Sequence, residues 1–300
     1  MEPSGVLIID KPEGLTSHDV VNKMRRLFST RRVGHTGTLD PMATGVLVIL
    51  IGRAAKAAEY LSSDEKGYIA TLRLGTTYDT EDITGTPLTH SDVIPSEDEV
   101  LSTISSFVGE IKQIPPMYSA LKINGQKLCD LARNGETVER QARSITIHSI
   151  DAKKCELPTD YTLTVCCSSG TYIRTLCADI GNALGCGGAM ATLRRTLAGS
   201  FSLENSHTIE EIEALDATDR PSLLVPIESL FSGLGELRLT SFYERLCRNG
   251  CEIYLSKINA RLELGQRVRL CSHDGSFFAL GEVRDFDGSL AVKAIKLFDI

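Results

Sequence analysis

G-H-T-G-T-L-D-P-M-A-T-G-V-L, residues Gly34 to Leu47, places a single carboxylate, Asp40, among small residues and turn formers. Gly34, Gly37 and Gly45 let the backbone turn tightly or let another molecule come close. Pro41 fixes its own φ and pushes Asp40 out of helical geometry. The apolar run Val46 to Ile51 follows at once and reads as a buried strand. A carboxylate on a stiff turn beside a strand suits a nucleophile or a general base. The same spacing also fits a turn whose Asp caps its own backbone, and by spacing alone that arrangement is the commoner one.

On the N-terminal side, Gly5 to Asp10 is another buried run. Thr16 and Ser17 follow as cap candidates, with Val20, Val21, Met24, Leu27 and Phe28 on one helix face. On the C-terminal side, Ala54 to Leu61 predicts a short helix and Lys66 to Leu74 a strand burying Tyr68, Ala70, Leu72 and Leu74. Thr76 to Pro95 reads as a long surface loop. Ser96 and Glu99 form a capping box that opens a helix through Phe107. Tyr118 to Ile123 is strand-like, Asn124-Gly125 is a turn signal, and Gln126 to Asn134 predicts a short helix stopped by Gly135. Ser144 to Ile150 and Tyr161 to Cys167 alternate as strands. Thr171 to Leu184 is helical, and Thr208 with Glu211 caps a helix through Leu215. A boundary falls at Gly233-Leu234-Gly235. Beyond it come a helix, Ser241 to Arg248, and short strands at Arg267 to Cys271, Phe277 to Arg284 and Leu290 to Leu297. Asp274-Gly275 and Asp287-Gly288 supply the hairpin turns.

No run of eighteen apolar residues appears in the 300, and M-E-P-S-G is no secretory signal, so a cytoplasmic, non-membrane protein is expected. Nine cysteines without a C-x-x-C pair read as structural free thiols. Cys166 and Cys167 should face opposite sides of a strand, and Cys247 and Cys251 suit one helix face. No zinc-type ligand spacing occurs, so no metal is expected. A net charge of −7 does not favour nucleic acid, but its distribution matters more. Asp79 to Glu99 holds seven acids and no Lys or Arg, and Glu204 to Glu228 is also acidic. Lys23, Arg25, Arg26, Arg31, Arg32 and His35 crowd the approach to Asp40, and Lys112 to Lys154 is basic. RNA could bind the basic groups while the acids occupy the far side, or all could be solvated helix faces.

Beyond the Asp40 segment, four further blocks stand in order. They are G-V-L-I-I-D-K-P-E-G-L-T-S-H-D (Gly5 to Asp19), Q-I-P-P-M-Y-S-A-L-K-I-N-G-Q-K-L (Gln113 to Leu128), S-S-G-T-Y-I-R-T-L (Ser168 to Leu176) and L-R-R-T-L-A-G-S-F (Leu193 to Phe201). Together with the Asp40 segment they resemble the bacterial TruB-type tRNA pseudouridine-55 synthases over roughly the first two hundred residues. The resemblance implies an α+β fold with a mixed, mainly antiparallel central sheet flanked by helices. It implies a catalytic domain over 1-232, an RNA-gripping thumb at about 113-145, and a PUA-like RNA-binding β-barrel over 233-300. The implied activity is isomerisation of the T-loop uridine of tRNA by base flipping and attack of an aspartate, without a cofactor or a required protein partner, by a monomer.

Residue by residue, the resemblance makes Asp40 the nucleophile, adding to C6 of uracil or attacking C1′ of the ribose. Either role needs the ionised form, which burial opposes and a nearby cation favours. Arg174 is the implied ion-pair partner. Tyr68 is the implied base-stacking residue near C5, with Tyr172 and Leu193 as pocket walls. His35 is the residue at the point the base vacates. Lys11, Arg31, Arg32, Lys122, Lys127, Arg133 and Arg143 are candidate RNA contacts, Lys11 being equally readable as structural. Gly125 and Gly135 are candidate thumb hinges. Two rivals share the scaffold: the catalytic subunit of a guide-RNA pseudouridylase and a non-catalytic RNA-folding chaperone. A glycosidase would need a second acid in a comparable motif, and none is evident.

Overall fold

A computed structural model describes residues 2–60, 65–119, 121–123 and 125–298, apart from the side chains of Lys122 and Lys127. Leu61 of the expected short helix and Asn124 of the expected turn therefore lie outside the described residues. Strands β1 (Gly5–Lys11), β2 (Val33–His35), β3 (Thr44–Ile51) and β4 (Lys66–Leu74) are followed by a hairpin of β5 (Thr76–Tyr78) and β6 (Pro87–His90). Next come β7 (Gly109–Gln113), the hairpin strands β8 (Lys122–Ile123) and β9 (Gln126–Lys127), then β10 (Arg143–Lys154), β11 (Asp160–Cys167), β12 (Gly188–Ala198) and β13 (Phe201–Ser202). The large sheet runs β1-β3-β12-β4-β11-β10-β7, with β2 on β3 and β13 on β12. β3 pairs with β12 in parallel; the neighbours on either side are antiparallel. Helices α1 (Ser17–Leu27), α2 (Glu97–Ser105), α3 (Leu128–Arg133), α4 (Ile173–Ala183) and α5 (Ile209–Ala214) flank it, giving the mixed α+β fold.

Continuous apolar runs in β1 and β3 have a direct physical reading. Leu7, Ile9, Leu47, Ile49 and Ile51 enter the core under the helices, while Val6, Ile8, Val46, Val48 and Leu50 enter a second core on the other face. A strand buried on both faces has no polar side, so alternation disappears. That second core also contains Phe231, Cys271, Phe277, Leu280 and Phe298, so the C-terminal sheet packs directly against β1 and β3. This sheet is built from β14 (Gly235–Arg238), β15 (Ile253–Tyr254), β16 (Arg267–Cys271), β17 (Phe277–Phe286) and β18 (Ser289–Leu297), in the order β14-β16-β17-β18-β15. α6 (Ser241–Arg248) and α7 (Leu255–Ile258) accompany it. Its β17–β18 turn is Asp287-Gly288, both at positive φ, as a tight hairpin demands.

Local departures from the expected elements have local causes. Thr76 to Pro95 contains the β5–β6 hairpin, and Ile83 N–H then bonds Met190 O at 3.1 Å, so the segment folds back on β12. Of the strand expected over Tyr118 to Ile123, Lys122–Ile123 forms and Ala120 lies outside the described residues, and the helix expected from Gln126 begins at Leu128. Residues 52 to 60 form a 3₁₀ helix. Cys251 does not share a helix face with Cys247, because α6 stops at Arg248 and Gly250 turns at φ +84. β7 and β12 had no clear signal.

Gly45 carries a firm constraint. Its φ is +97, and a Cβ there would sit 2.2 Å from the carbonyl oxygen of Arg195 on the parallel neighbour β12. Gly45→Ala is expected to destabilise the chain by at least about 2 kcal/mol, combining a left-handed penalty with a backbone clash. A urea unfolding curve with an unshifted midpoint would count against this packing.

Candidate active site

The segment that opened the sequence reading folds as a loop from β2 to β3, and its shape is fixed from several sides. Leu39 is buried, and Ser17 on α1 both donates to Leu39 O at 3.0 Å and accepts from Leu39 N–H at 2.8 Å. Lys11, at the end of β1, donates to the carbonyls of Pro12, Leu15 and Pro41 at 2.8, 2.8 and 3.2 Å. Its side chain is fully buried, and burial pulls its pKa down to about 8, against the pull of Asp40. This corrects the assignment of Lys11 as an RNA contact. All three ammonium protons are used inside the fold, and the residue braces the turn that carries Asp40.

Arg174, in the first turn of α4, meets Asp40 from the opposite side. Its Nε lies 3.0 Å from Asp40 Oδ2, and its Nη2 donates to Oδ1 at 3.4 Å. The same guanidinium donates to Thr80 O at 3.0 Å, Asp82 Oδ2 at 3.4 Å and Tyr118 O at 2.7 Å. Gln113 holds both backbone groups of Tyr172, the residue just before α4. It accepts from Tyr172 N–H at 2.8 Å and donates to Tyr172 O at 3.1 Å. Close packing of α4 on β12 completes the placement, since a Cβ on Gly181 would lie 2.2 Å from Gly188 N. Burial pushes the Asp40 carboxyl above the ordinary aspartate range. Arg174 opposes that, Asp82 adds to it, and Lys11 opposes it.

Asp82 was not anticipated. It belongs to the acidic stretch expected on the far side of the molecule, yet it is 4 % exposed and ion-pairs with Arg174. The β5–β6 segment turns inward on β12 and delivers it there. Glu81 comes with it and accepts from the Thr175 hydroxyl on α4.

A cavity of about 450 Å³ opens over this pair, a size suited to a small ligand or one nucleotide. Asp40, Tyr68, Tyr172, Arg174 and Leu193 all line it, together with Lys66, Tyr118 and Arg195. Tyr68 on β4 and Leu193 on β12 are each 8 % exposed and share one face of the large sheet. Burial raises the pKa of the Tyr68 phenol, against the pull of Arg195. Burial does the same at Tyr172. His35 is not among the lining residues; it sits at the end of β2, one position before the lining Thr36. Burial lowers its pKa, and its Nδ1 has no hydrogen-bond partner among the described residues.

Of the remaining candidate RNA contacts, Arg143 is exposed and pairs across the ladder with Gln113. Arg31 and Arg32 are exposed on the loop before β2, with Arg32 3.5 Å from Glu2. Arg133 is exposed on α3 and 3.6 Å from Asp130. The side chains of Lys122 and Lys127 lie outside the described residues.

One trio of potential metal ligands occurs among the described residues: Glu228, Glu236 and Cys271. Arg269 ion-pairs with both acids and Arg238 with Glu236, while burial pushes the Cys271 thiol up to about 11. Both acids of the set are thus paired with guanidinium groups.

Known proteins resemble this chain in sequence and in fold. Residues 25–173 match the profile of the TruB family pseudouridylate synthase N-terminal domain, and residues 174–232 that of the tRNA pseudouridylate synthase B C-terminal domain. A Clostridium kluyveri protein named tRNA pseudouridine synthase B is 42 % identical over 98 % of this chain and 99 % of the relative. One of the same name from Alkaliphilus oremlandii is 44 % identical over 95 % of this chain and 94 % of the relative. Among solved structures, a Cbf5-Nop10-Gar1 complex supplies a chain with a TM-score of 0.75 and 27 % identity, covering 98 % of this chain and 84 % of that one.

Proposed function

The chain belongs to the TruB family of pseudouridylate synthases, and from that membership we propose that it isomerises a uridine of tRNA to pseudouridine, at position 55 of the T loop. The observation that carries the reading is the Asp40–Arg174 pair at 3.0 Å under an open cavity walled by Tyr68, Tyr172 and Leu193. Isomerisation breaks the C1′–N1 bond, turns the base and forms C1′–C5. No electrons are gained or lost, so ionisable side chains suffice. Asp40, a third exposed on its side chain and therefore reachable, attacks C6 of uracil or C1′ of the ribose as the carboxylate. Tyr68 lies against the base near C5. Tyr172 and Leu193 keep the detached base from drifting.

The target uridine must leave its stack to reach Asp40, at a cost of roughly a few kcal/mol, less in a loop than in a duplex. Phosphate contacts from Arg31, Arg32, Arg133 and Arg143 offset that cost. His35 fills the place the base vacates. The thumb over 113-145 closes on the T-arm, and two of its links to the site are Tyr118 O, held by Arg174, and Gln113, which holds Tyr172. Residues 1-232 act as the catalytic unit and 233-300 as a PUA-like RNA-binding unit; support for this division is that the two sheets share no strand. The higher identity to the two bacterial enzymes than to the Cbf5 chain favours a stand-alone monomer in the cytoplasm over a guide-dependent subunit.

Purified protein incubated with an unmodified tRNA transcript, and with no guide RNA or other protein, is expected to place one pseudouridine in the T loop. A transcript carrying cytidine at that site should remain unmodified. Absence of pseudouridine in the first transcript would overturn the reading.

A further inference from the structure

Arg195 lies in the same cavity but outside the Asp40 network. It stands on β12 directly across the ladder from Tyr68 on β4, with Gly45 of β3 on its other side. Although it lines the cavity, it is only 3 % exposed. Its Nε donates to Val46 O at 2.6 Å, its Nη2 to Gly37 O at 3.1 Å and its Nη1 to Thr38 O at 3.5 Å. Gly37 and Thr38 belong to the loop that ends in Asp40. Tyr68 stands directly across from it on the same face of the sheet and lines the same cavity, and burial pulls the guanidinium's pKa down against the pull of Tyr68.

A buried cation without a carboxylate is heavily penalised. Holding three carbonyls does not require one, because a neutral amide donates to carbonyls without that penalty. Tyr68 is what the charge distinguishes. A guanidinium has donors and no acceptor, so wherever it meets its cross-strand neighbour Tyr68 the phenolic oxygen must accept. The phenol's own proton is then free to point elsewhere, and the open side is the cavity.

We propose that Arg195 is a positioning residue for Tyr68. It occupies the phenolic oxygen as a donor, so that the Tyr68 O–H faces the base held beside Asp40. Through the Gly37 and Thr38 carbonyls it also fixes the spacing between that phenol and the carboxylate. This inference rests on the pseudouridine synthase reading, and the two fail in different ways.

Single-turnover rates on a saturating tRNA transcript are compared for the parent protein, Arg195→Met, Tyr68→Phe and the double variant. Arg195→Met is expected to slow the parent about 30-fold, while the affinity for the transcript changes less than about threefold. In the Tyr68→Phe background the same substitution should cost about threefold or less, since the group it positions is gone. Equal losses in both backgrounds would overturn the proposal, as would an undiminished rate for Arg195→Met. A silent parent protein would instead overturn the functional reading. Should Arg195→Met not fold, Arg195→Lys keeps the charge but cannot bridge the loop and the phenol, and it carries the same comparison. Where the Phe background is too slow to time, the ζ-carbon NMR resonance of Tyr68, identified by its loss in Tyr68→Phe, decides. It should shift in Arg195→Lys, and an unmoved resonance would refute the contact.

Discussion

Asp40→Asn is expected to slow single turnover on a tRNA transcript by at least about 10⁴-fold, while leaving affinity for that RNA within about threefold of the parent. The amide keeps the volume and hydrogen-bonding reach of the carboxyl but has no lone pair of nucleophilic strength. Its neighbours stay in place, because Lys11 braces Pro41 O and Ser17 holds Leu39 independently of the Asp40 side chain. In the parent protein the rate should rise with pH as Asp40 ionises. Burial outweighs Arg174 in setting that ionisation, so the acid limb lies above the ordinary aspartate value of 3.8. An Asn variant within tenfold of the parent would remove Asp40 from the chemistry. An acid limb at or below the ordinary value would mean that the guanidinium, and not burial, dominates.

The roles of the site residues came from the family resemblance; what the local sequence showed was the elements that carry them. Asp40 sits in a turn whose glycines and proline are visible in the sequence, and Tyr68 alternates with Ala70 and Leu72 on a strand. Arg174 and Tyr172 open a helix with a clear glycine stop at Gly185. The capping boxes at Ser96 and Thr208 form as read, and of the two cap candidates at the first helix Thr16 is the cap. What escaped reading depends on distant partners. β12 begins with small residues and carries two adjacent arginines, so neither its period nor its composition suggests a central strand. It is a strand because β3 and β4 offer it hydrogen bonds on both sides. Asp82 lies in a stretch whose charge reads as solvated surface, and its burial follows from Arg174, which is ninety-two positions away along the chain. Lys11 was ambiguous for the same reason, since one of its three carbonyl partners is Pro41. A side chain's partner across the fold is not encoded in its neighbours along the chain.

Arg174 is where a second large effect is expected, and the effect should split between stability and rate. A guanidinium carries five N–H groups, and here five acceptors meet them: both Asp40 oxygens, Asp82, Thr80 O and Tyr118 O. Arg174→Met leaves two carboxylates inside the fold without their cation. Breaking a buried pair from one side costs about 3–5 kcal/mol, so a midpoint shift of that size is expected in urea unfolding. Adding Asp82→Asn removes the more deeply buried of the two charges and should restore part of the lost stability. It should not restore turnover, because Asp40 still lacks the group that favours its ionised form, and the acid limb should move to higher pH in both variants. Arg174→Lys tests geometry apart from charge. An ammonium presents three donors from one point and cannot span Asp40, Asp82 and Tyr118 together, so a rate loss of about 10²-fold is expected with a smaller stability loss. An Arg174→Met variant as stable as the parent, or an acid limb that stays in place, would show that Asp40 is kept ionised by something other than this guanidinium.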